Sequence, residues 1–141
     1  MIKTFRGILD SGETETIRLH TTDGMTGYRI KKFQLIQEKP GAQDTESVVM
    51  VCKRSFTPTT DINLDDQNII AVGFYGGGQI ASAYPIQEVI IFENEIVNQD
   101  IFIGNQDHQS KKMNYYLELE QVKLDLNEAT VATLKDMRGR E

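Results

Sequence analysis

Asn114-Tyr115-Tyr116-Leu117-Glu118-Leu119-Glu120 alternates between apolar and polar side chains. Successive side chains of an extended strand point to opposite faces. One face of this segment therefore carries Tyr115, Leu117 and Leu119, and the other carries Tyr116, Glu118 and Glu120. The pattern predicts a strand that has one face in the core and the other in water.

Similar short apolar runs, rich in β-branched and aromatic residues, fill most of the chain and are separated by turn residues such as Asp10-Ser11-Gly12. Such runs indicate strands. The predicted strands span residues 2–9, 14–20, 27–37, 46–54, 68–75, 86–92, 95–103 and 114–124. No long helical pattern lies between them, which excludes a βαβ fold. Residues 1–124 are therefore expected to form one all-β domain, an antiparallel, jelly-roll-like β-sandwich of about eight strands.

Some of these strands depart from simple alternation. The segments Ser47–Cys52 and Val89–Phe92 are apolar on both faces, which predicts central strands or strands under a second covering layer. In the strand 27–37 the apolar positions change phase between Ile30 and Phe33. A β-bulge near Lys31-Lys32 would return both halves of that strand to the core.

The C-terminal segment 125–141 has the pattern of a helix. Asp125 and Glu128 match a capping box, and apolar residues recur from Val131 onward at near-helical spacing, which predicts one helix over about 126–138. A lone helix of this length is marginal in water, so we expect it to dock on the sandwich or on a neighbouring subunit. The candidate subunit contacts are Tyr116, Val131, Leu134, Met137 and Arg138.

Composition narrows the classes of function. The 141 residues include 15 Lys+Arg and 21 Asp+Glu, for a net charge of −6, with one Cys, two His and no Trp. A single Cys excludes an intramolecular disulfide, and the acidic balance disfavours nucleic-acid binding, which depends on basic residues. No apolar run suits a signal peptide or a membrane span. We expect a soluble chain that binds neither nucleic acid nor membranes.

Two loops match functional motifs only in part. Gly76-Gly77-Gly78 is not followed by the Lys and the Ser or Thr of a phosphate-binding loop, so a flexible connection is expected. Asp61, Asn63 and Asp65 offer oxygen donors at alternate positions, as in an EF-hand, but the Gly and Glu that complete such a loop are missing. A solvated turn is the favoured interpretation there, and an irregular cation site is the alternative.

The side chains that usually carry catalysis are few and scattered. Cys52 lies in an apolar strand, where an inert buried residue is expected. His20 and His108 lie outside any metal or catalytic motif. The pair Glu118 and Glu120 is expected on a solvated strand face, because a glycosidase needs its two carboxyls in a cleft. No cofactor and no metal are expected.

Tyrosines offer an alternative kind of site, a binding surface. Tyr gives a large contact area at low entropic cost. Tyr75, Tyr84, Tyr115 and Tyr116 are the candidates. Alternation along the strand places Tyr115 in the core and Tyr116 outward, so Tyr116 is the preferred contact residue.

Several of these segments together resemble small virion structural proteins of tailed bacteriophages, especially those that infect marine bacteria. The similar segments are Ile2–Gly7, Tyr84-Pro85, Val89–Glu95, Asn98–Ile103 and Asn114–Glu120. They contain no catalytic motif, so no functional residue is carried over from that group.

The resemblance implies a non-enzymatic particle component, foremost a capsid decoration (cement) protein. Such a protein is made in the host cytoplasm and binds the major capsid protein on the head surface. Identical contacts repeated over a head favour a homo-oligomer, and a trimer suits a threefold position. The alternatives are a tail or head–tail component and a carbohydrate-binding module, for which the absence of Trp is unfavourable. A hydrolase that uses Glu118 and Glu120 ranks third.

Overall fold

A computed structural model of the chain describes residues 1–78 and 86–138, with eight strands and a C-terminal helix in those ranges. The elements are β1 (Ile2–Leu9), β2 (Thr14–Ile17), β3 (Thr26–Gln37), β4 (Thr45–Cys52), β5 (Ile69–Gly77), β6 (Ile86–Ile91), β7 (Ile101–Asp107), β8 (Met113–Lys123) and α1 (Leu126–Arg138). The predicted all-β class is confirmed. Tyr84, the tail after residue 138 and the side chains of Met137 and Arg138 lie outside the described part.

The strands form two antiparallel sheets, one in the order β1-β8-β3 and the other in the order β2-β7-β4-β5-β6. β1 pairs with β8, β2 with β7 and β4 with β5, as in an antiparallel ribbon bent at its middle into a jelly roll. β6 contacts β3 but pairs with β5. The fold is thus a jelly-roll-like sandwich whose sixth strand belongs to the larger sheet.

The main core lies between the two sheets. β8 contributes Tyr115, Leu117 and Leu119 from its inner face, and β4 contributes Val49 and Val51 from the opposite sheet. Leu117, Leu119, Val49 and Val51 have no solvent exposure. Burial of such apolar area is the main favourable term in folding. The alternation predicted for residues 114–120 is confirmed, and β8 is the central strand of the smaller sheet.

A second core lies on the outer face of the larger sheet. Its buried members include Val48, Met50 and Cys52 of β4, and the ring of Phe56 packs against them. Phe56 belongs to residues 53–68, the covering segment, which connects β4 to β5. This segment also approaches β7 closely, because a Cβ on Gly104 would stand 2.9 Å from the Phe56 ring. The prediction of a second layer over Ser47–Cys52 is confirmed.

β3 is irregular where the sequence predicts a bulge. Its register against β8 shifts between Ile30 and Lys32. Lys31 and Lys32 both face solvent, while Ile30 and Phe33 are buried. The extra residue keeps the apolar side chains of both halves in the core, and the predicted bulge is confirmed.

Two predicted strands have the wrong bounds. β7 begins at Ile101 rather than at residue 95 and continues to Asp107, and β2 ends at Ile17 rather than at residue 20. Asp100 accounts for the early end of β2, because its carboxylate accepts hydrogen bonds from the backbone N–H groups of Leu19 at 2.8 Å and His20 at 3.0 Å. A side chain that binds backbone donors competes with the strand ladder.

The prediction that Val89–Phe92 is central or covered is also wrong. β6 lies at the edge of the larger sheet and pairs with β5 alone among the described strands. Val89 and Ile91 pack on the main core, whereas Ile90 is 43% exposed. Ile90 is apolar although it points outward. This residue gave the edge strand β6 the sequence pattern of a central strand.

α1 begins with the predicted capping box. Asp125 Oδ1 accepts a hydrogen bond from the Glu128 N–H at 2.7 Å, and Glu128 Oε1 accepts one from the Asp125 N–H at 3.3 Å. The helix packs on the sandwich through Ala129 and Ala132, which form a small cluster with Leu124. Of the two docking alternatives, the structure shows contact with the sandwich.

Candidate functional site

The outward side chains of β1, β8 and β3 form one exposed surface, here called the β8 face. Tyr116 lies at its middle, and the strand register places it between Arg6 of β1 and Gln34 of β3. The neighbouring row places Asn114 between Ile8 and Ile36. The two aliphatic side chains are 37% and 55% exposed, respectively. The covering segment lies over the other sheet, so the two outer faces of the sandwich differ.

Two shallow hollows flank Tyr116 on the β8 face. One, of about 500 Å³, is bounded by Arg6 and Ile8 of β1, and the other, of about 310 Å³, by Gln34 and Ile36 of β3. Tyr116 lines both. An aromatic and aliphatic centre surrounded by Arg and amide side chains matches the core and rim of protein-binding surfaces.

The predicted tyrosine surface is reduced to one residue in the described chain. Tyr116 faces outward and Tyr115 faces inward, as alternation predicts. Tyr75 is 4% exposed and packs in the main core, so its inclusion in a binding surface is wrong. It lies on β5, and its ring points inward between the two sheets.

The carboxylates of the β8 face are held by their neighbours. Arg29 donates to Glu120 Oε1 through Nε at 2.9 Å and through Nη2 at 2.5 Å, and this contact lowers the pKa of Glu120. Tyr116 donates its hydroxyl to Glu118 Oε2 at 2.8 Å, and this bond raises the pKa of Tyr116. A general acid needs a raised carboxyl pKa, so the shift on Glu120 does not suit that residue to act as the acid.

The exposed side of α1 is the second candidate surface. Leu126, Val131 and Leu134 are 71%, 54% and 51% exposed. The buried side carries the small residues Ala129 and Ala132 instead. The apolar stripe predicted to dock the helix therefore faces away from the sandwich. The backbones of Met137 and Arg138 continue the helix, and their side chains lie outside the described residues.

The Cys52 thiol is buried, and the acidic turn lies at the surface. Cys52 is 1% exposed, and burial raises its pKa to about 12, so it is not an activated nucleophile. Asp61, Asn63 and Asp65 are exposed in the covering segment. No cluster of three or more His, Cys, Asp or Glu suited to a metal ion occurs in residues 1–78 and 86–138.

Two similar tripeptides, Asn98-Gln99-Asp100 and Asn105-Gln106-Asp107, occur seven residues apart. The sequence alone did not indicate a role for them. Both Asn side chains are fully buried and donate to backbone carbonyls, Asn98 to Gly24 and Asn105 to Leu9. Both Asp side chains accept backbone N–H bonds. The two copies fix the loops at the two ends of β7. The repetition of the tripeptide is a feature of the sequence that could have indicated this structural role.

Asp100 also contacts His20, whose Nδ1 lies 2.7 Å from Asp100 Oδ1. Partial burial opposes ionisation of this carboxyl, but the hydrogen bonds from His20 and Leu19 outweigh it and hold the pKa of Asp100 below its ordinary value of 3.8. The carboxylate thus stabilises the loop that follows β2.

The lowered pKa predicts a pH-dependent stability. A group whose pKa is lowered on folding stabilises the fold above its unfolded pKa, and that contribution fades as the pH falls. The difference in unfolding free energy between wild type and Asp100→Asn should be constant near neutral pH and shrink below about pH 4. Urea titrations from pH 7 to pH 3 measure it. A difference that grows toward low pH would contradict the assignment.

Comparisons of the chain with family models, with curated proteins and with solved structures find no match. Within the described ranges no helix is long and apolar enough to cross a membrane. The roles of the β8 face and of the exposed side of α1 are therefore inferred from the residues that form them.

Proposed function

We propose that this chain is a non-enzymatic structural component of a phage virion, a decoration protein that binds the major capsid protein on the head surface. The observation that carries the proposal is the difference between the two outer faces of the sandwich. The outer face of the larger sheet is covered over β4 and β5 by residues 53–68 of its own chain, whereas the β8 face presents Ile8 and Ile36 to solvent beside the partly exposed Tyr116. A bare face of this kind suits a protein partner.

The chemistry of the β8 face supports binding rather than catalysis. Tyr116 and the two isoleucines supply apolar area, and Arg6 and Gln34 supply polar groups at the margin. The Arg29–Glu120 and Tyr116–Glu118 contacts fix charged groups in place before a partner arrives, which lowers the entropy lost on binding. The resemblance of several segments to virion structural proteins supports the same function, and the trimeric state stays a prediction.

Binding to purified heads that lack this protein tests the proposal. Ile36→Asp would place an unpaired charge in the contact and is expected to weaken binding about a hundredfold. Ile62→Asp is the matched control, because Ile62 is 41% exposed but lies in the covering segment. Co-sedimentation over a range of concentrations measures both. Equal binding by the two variants would contradict a role for the β8 face.

A carbohydrate-binding module is the second candidate. The observation that favours it is the pair of hollows beside the Tyr116 ring, which the amide side chains of Asn114, Gln34 and Gln87 line. Aromatic faces with amides can hold sugar rings. A glycan array distinguishes the candidates: hits that Tyr116→Ala abolishes would favour the module, and an array without hits would remove it.

A further inference from the structure

The large apolar side chains of α1 lie on its exposed side. This is not expected of a helix that only covers the end of a sandwich. Ala129 and Ala132 are 5% and 7% exposed, whereas Val131 and Leu134 are more than half exposed. A docked amphipathic helix normally buries its largest apolar residues. The exposed stripe therefore calls for a second covering surface.

A groove lies beside this stripe. Its volume is about 330 Å³, and its walls include Ile96, Leu124, Val131 and Ala132. An apolar cavity of about 150 Å³ already admits a benzene ring, so the groove has room for an aliphatic side chain. Glu128 and Lys135 stand on the same wall as Val131, toward the two ends of the helix.

The two charges are arranged symmetrically about Val131. Glu128 precedes it by three residues and Lys135 follows it by four, so all three share one side of the helix. Neither charge forms an ion pair with a residue in the described part of the chain. In an antiparallel pair of identical helices related by a twofold axis near Val131, Glu128 of each copy would face Lys135 of the other.

We propose that the occupant of this surface is a second copy of the chain, and that α1 forms a twofold dimer contact. Val131 of one copy lies against the groove of the other, Leu134 is covered at its side, and two Glu128–Lys135 pairs form across the axis. A twofold interface requires a patch that is complementary to itself, and this arrangement of charges meets that requirement. A trimer brings unlike patches together and would not use this contact, so the trimer expected from the sequence is the rival outcome of the test. The inference does not depend on capsid binding.

Sedimentation velocity of the full chain tests the dimer without any capsid. Wild type is expected to reach twice the chain mass of 16.0 kDa as its concentration rises. Lys135→Glu should weaken dimerisation about tenfold, because it places like charges opposite each other. Lys39→Glu makes the same charge change on an exposed turn of the described chain and should dimerise as wild type does.

The charge swap is the sharpest comparison. The double variant Glu128→Lys, Lys135→Glu should recover dimerisation to within about threefold of wild type, because the opposed pairs are restored with reversed sign. Val131→Asp keeps the capping residue Glu128 and should weaken the dimer about a hundredfold. Circular dichroism checks that α1 stays folded. A wild-type chain that is monomeric at every concentration, a trimeric mass, or normal dimerisation of Val131→Asp would overturn the proposal.

Discussion

Replacing Asp107 by Ala is expected to lower the free energy of unfolding by about 3 to 5 kcal/mol. Asp107 ends β7 and is 2% exposed. Its carboxylate accepts hydrogen bonds from the backbone N–H groups of Glu46 at 3.0 Å, Gln109 at 2.6 Å and Lys111 at 3.2 Å, and from the Ser47 hydroxyl. Alanine removes the acceptor of three partly buried N–H groups and of the buried Ser47 hydroxyl.

Chemical unfolding followed by circular dichroism measures this loss. Asp61→Ala is the control, because Asp61 is exposed in the covering segment, and its expected change is within about 0.5 kcal/mol. A single domain is typically stable by about 5–15 kcal/mol, so Asp107→Ala is expected to remove a large share of the stability of the chain. Equal stability of the two variants would show that Asp107 is not a structural acceptor.

Replacing Leu117 by Ala is expected to lower the free energy of unfolding by about 2 to 5 kcal/mol. Leu117 is fully buried and lies in the central strand of the smaller sheet, between Phe5 of β1 and Phe33 of β3 in the register. Alanine loses the transfer free energy of the removed atoms and leaves a cavity among rigid neighbours.

Glu118→Ala is the matched control for Leu117, one position along the same strand and on the opposite face. Its expected loss is within about 1 kcal/mol, because the Tyr116–Glu118 hydrogen bond is partly solvated. Thermal unfolding of both variants measures the contrast. A larger loss for Glu118→Ala than for Leu117→Ala would reverse the assignment of core and solvent faces in β8.

Alternation predicted the strands best where one face is core and the other is solvent. β8 and most of the bulged β3 have that character, and their polar positions mark the outer face. Apolar residues on both faces of β4 also indicated a second layer, which Phe56 provides. In these elements the local pattern of apolar residues and the tertiary packing agree on which side chains are buried.

The pattern failed where tertiary contacts decide the outcome. Asp100 takes the backbone donors that would have extended β2, and a sequence does not show which distant N–H groups a carboxylate will meet. The helix was recognised from its capping box, but the side that docks was not, because small residues such as Ala129 pack closely against Leu124 while larger ones stay outside. Tyr75 was misplaced for a similar reason, since its burial depends on the opposite sheet.

The candidate site was predictable only as a single residue. Tyr116 follows from alternation, but its neighbours Ile8 and Ile36 come from strands far apart in the chain and meet Asn114 only through the register of the sheet. The groove beside α1 likewise joins Ile96 to Val131. A surface that combines residues of several strands can be predicted only when the strand pairing is known. A single sequence does not specify that pairing.

Cryo-electron microscopy of the parent virion tests whether the chain decorates the head. We expect density on the outer surface of the head that fits this sandwich, with the β8 face, including Tyr116 and Ile36, turned toward the major capsid protein. Three results would contradict the proposed function: absence of the chain from purified particles, its location on the tail, or a β8 face turned toward solvent.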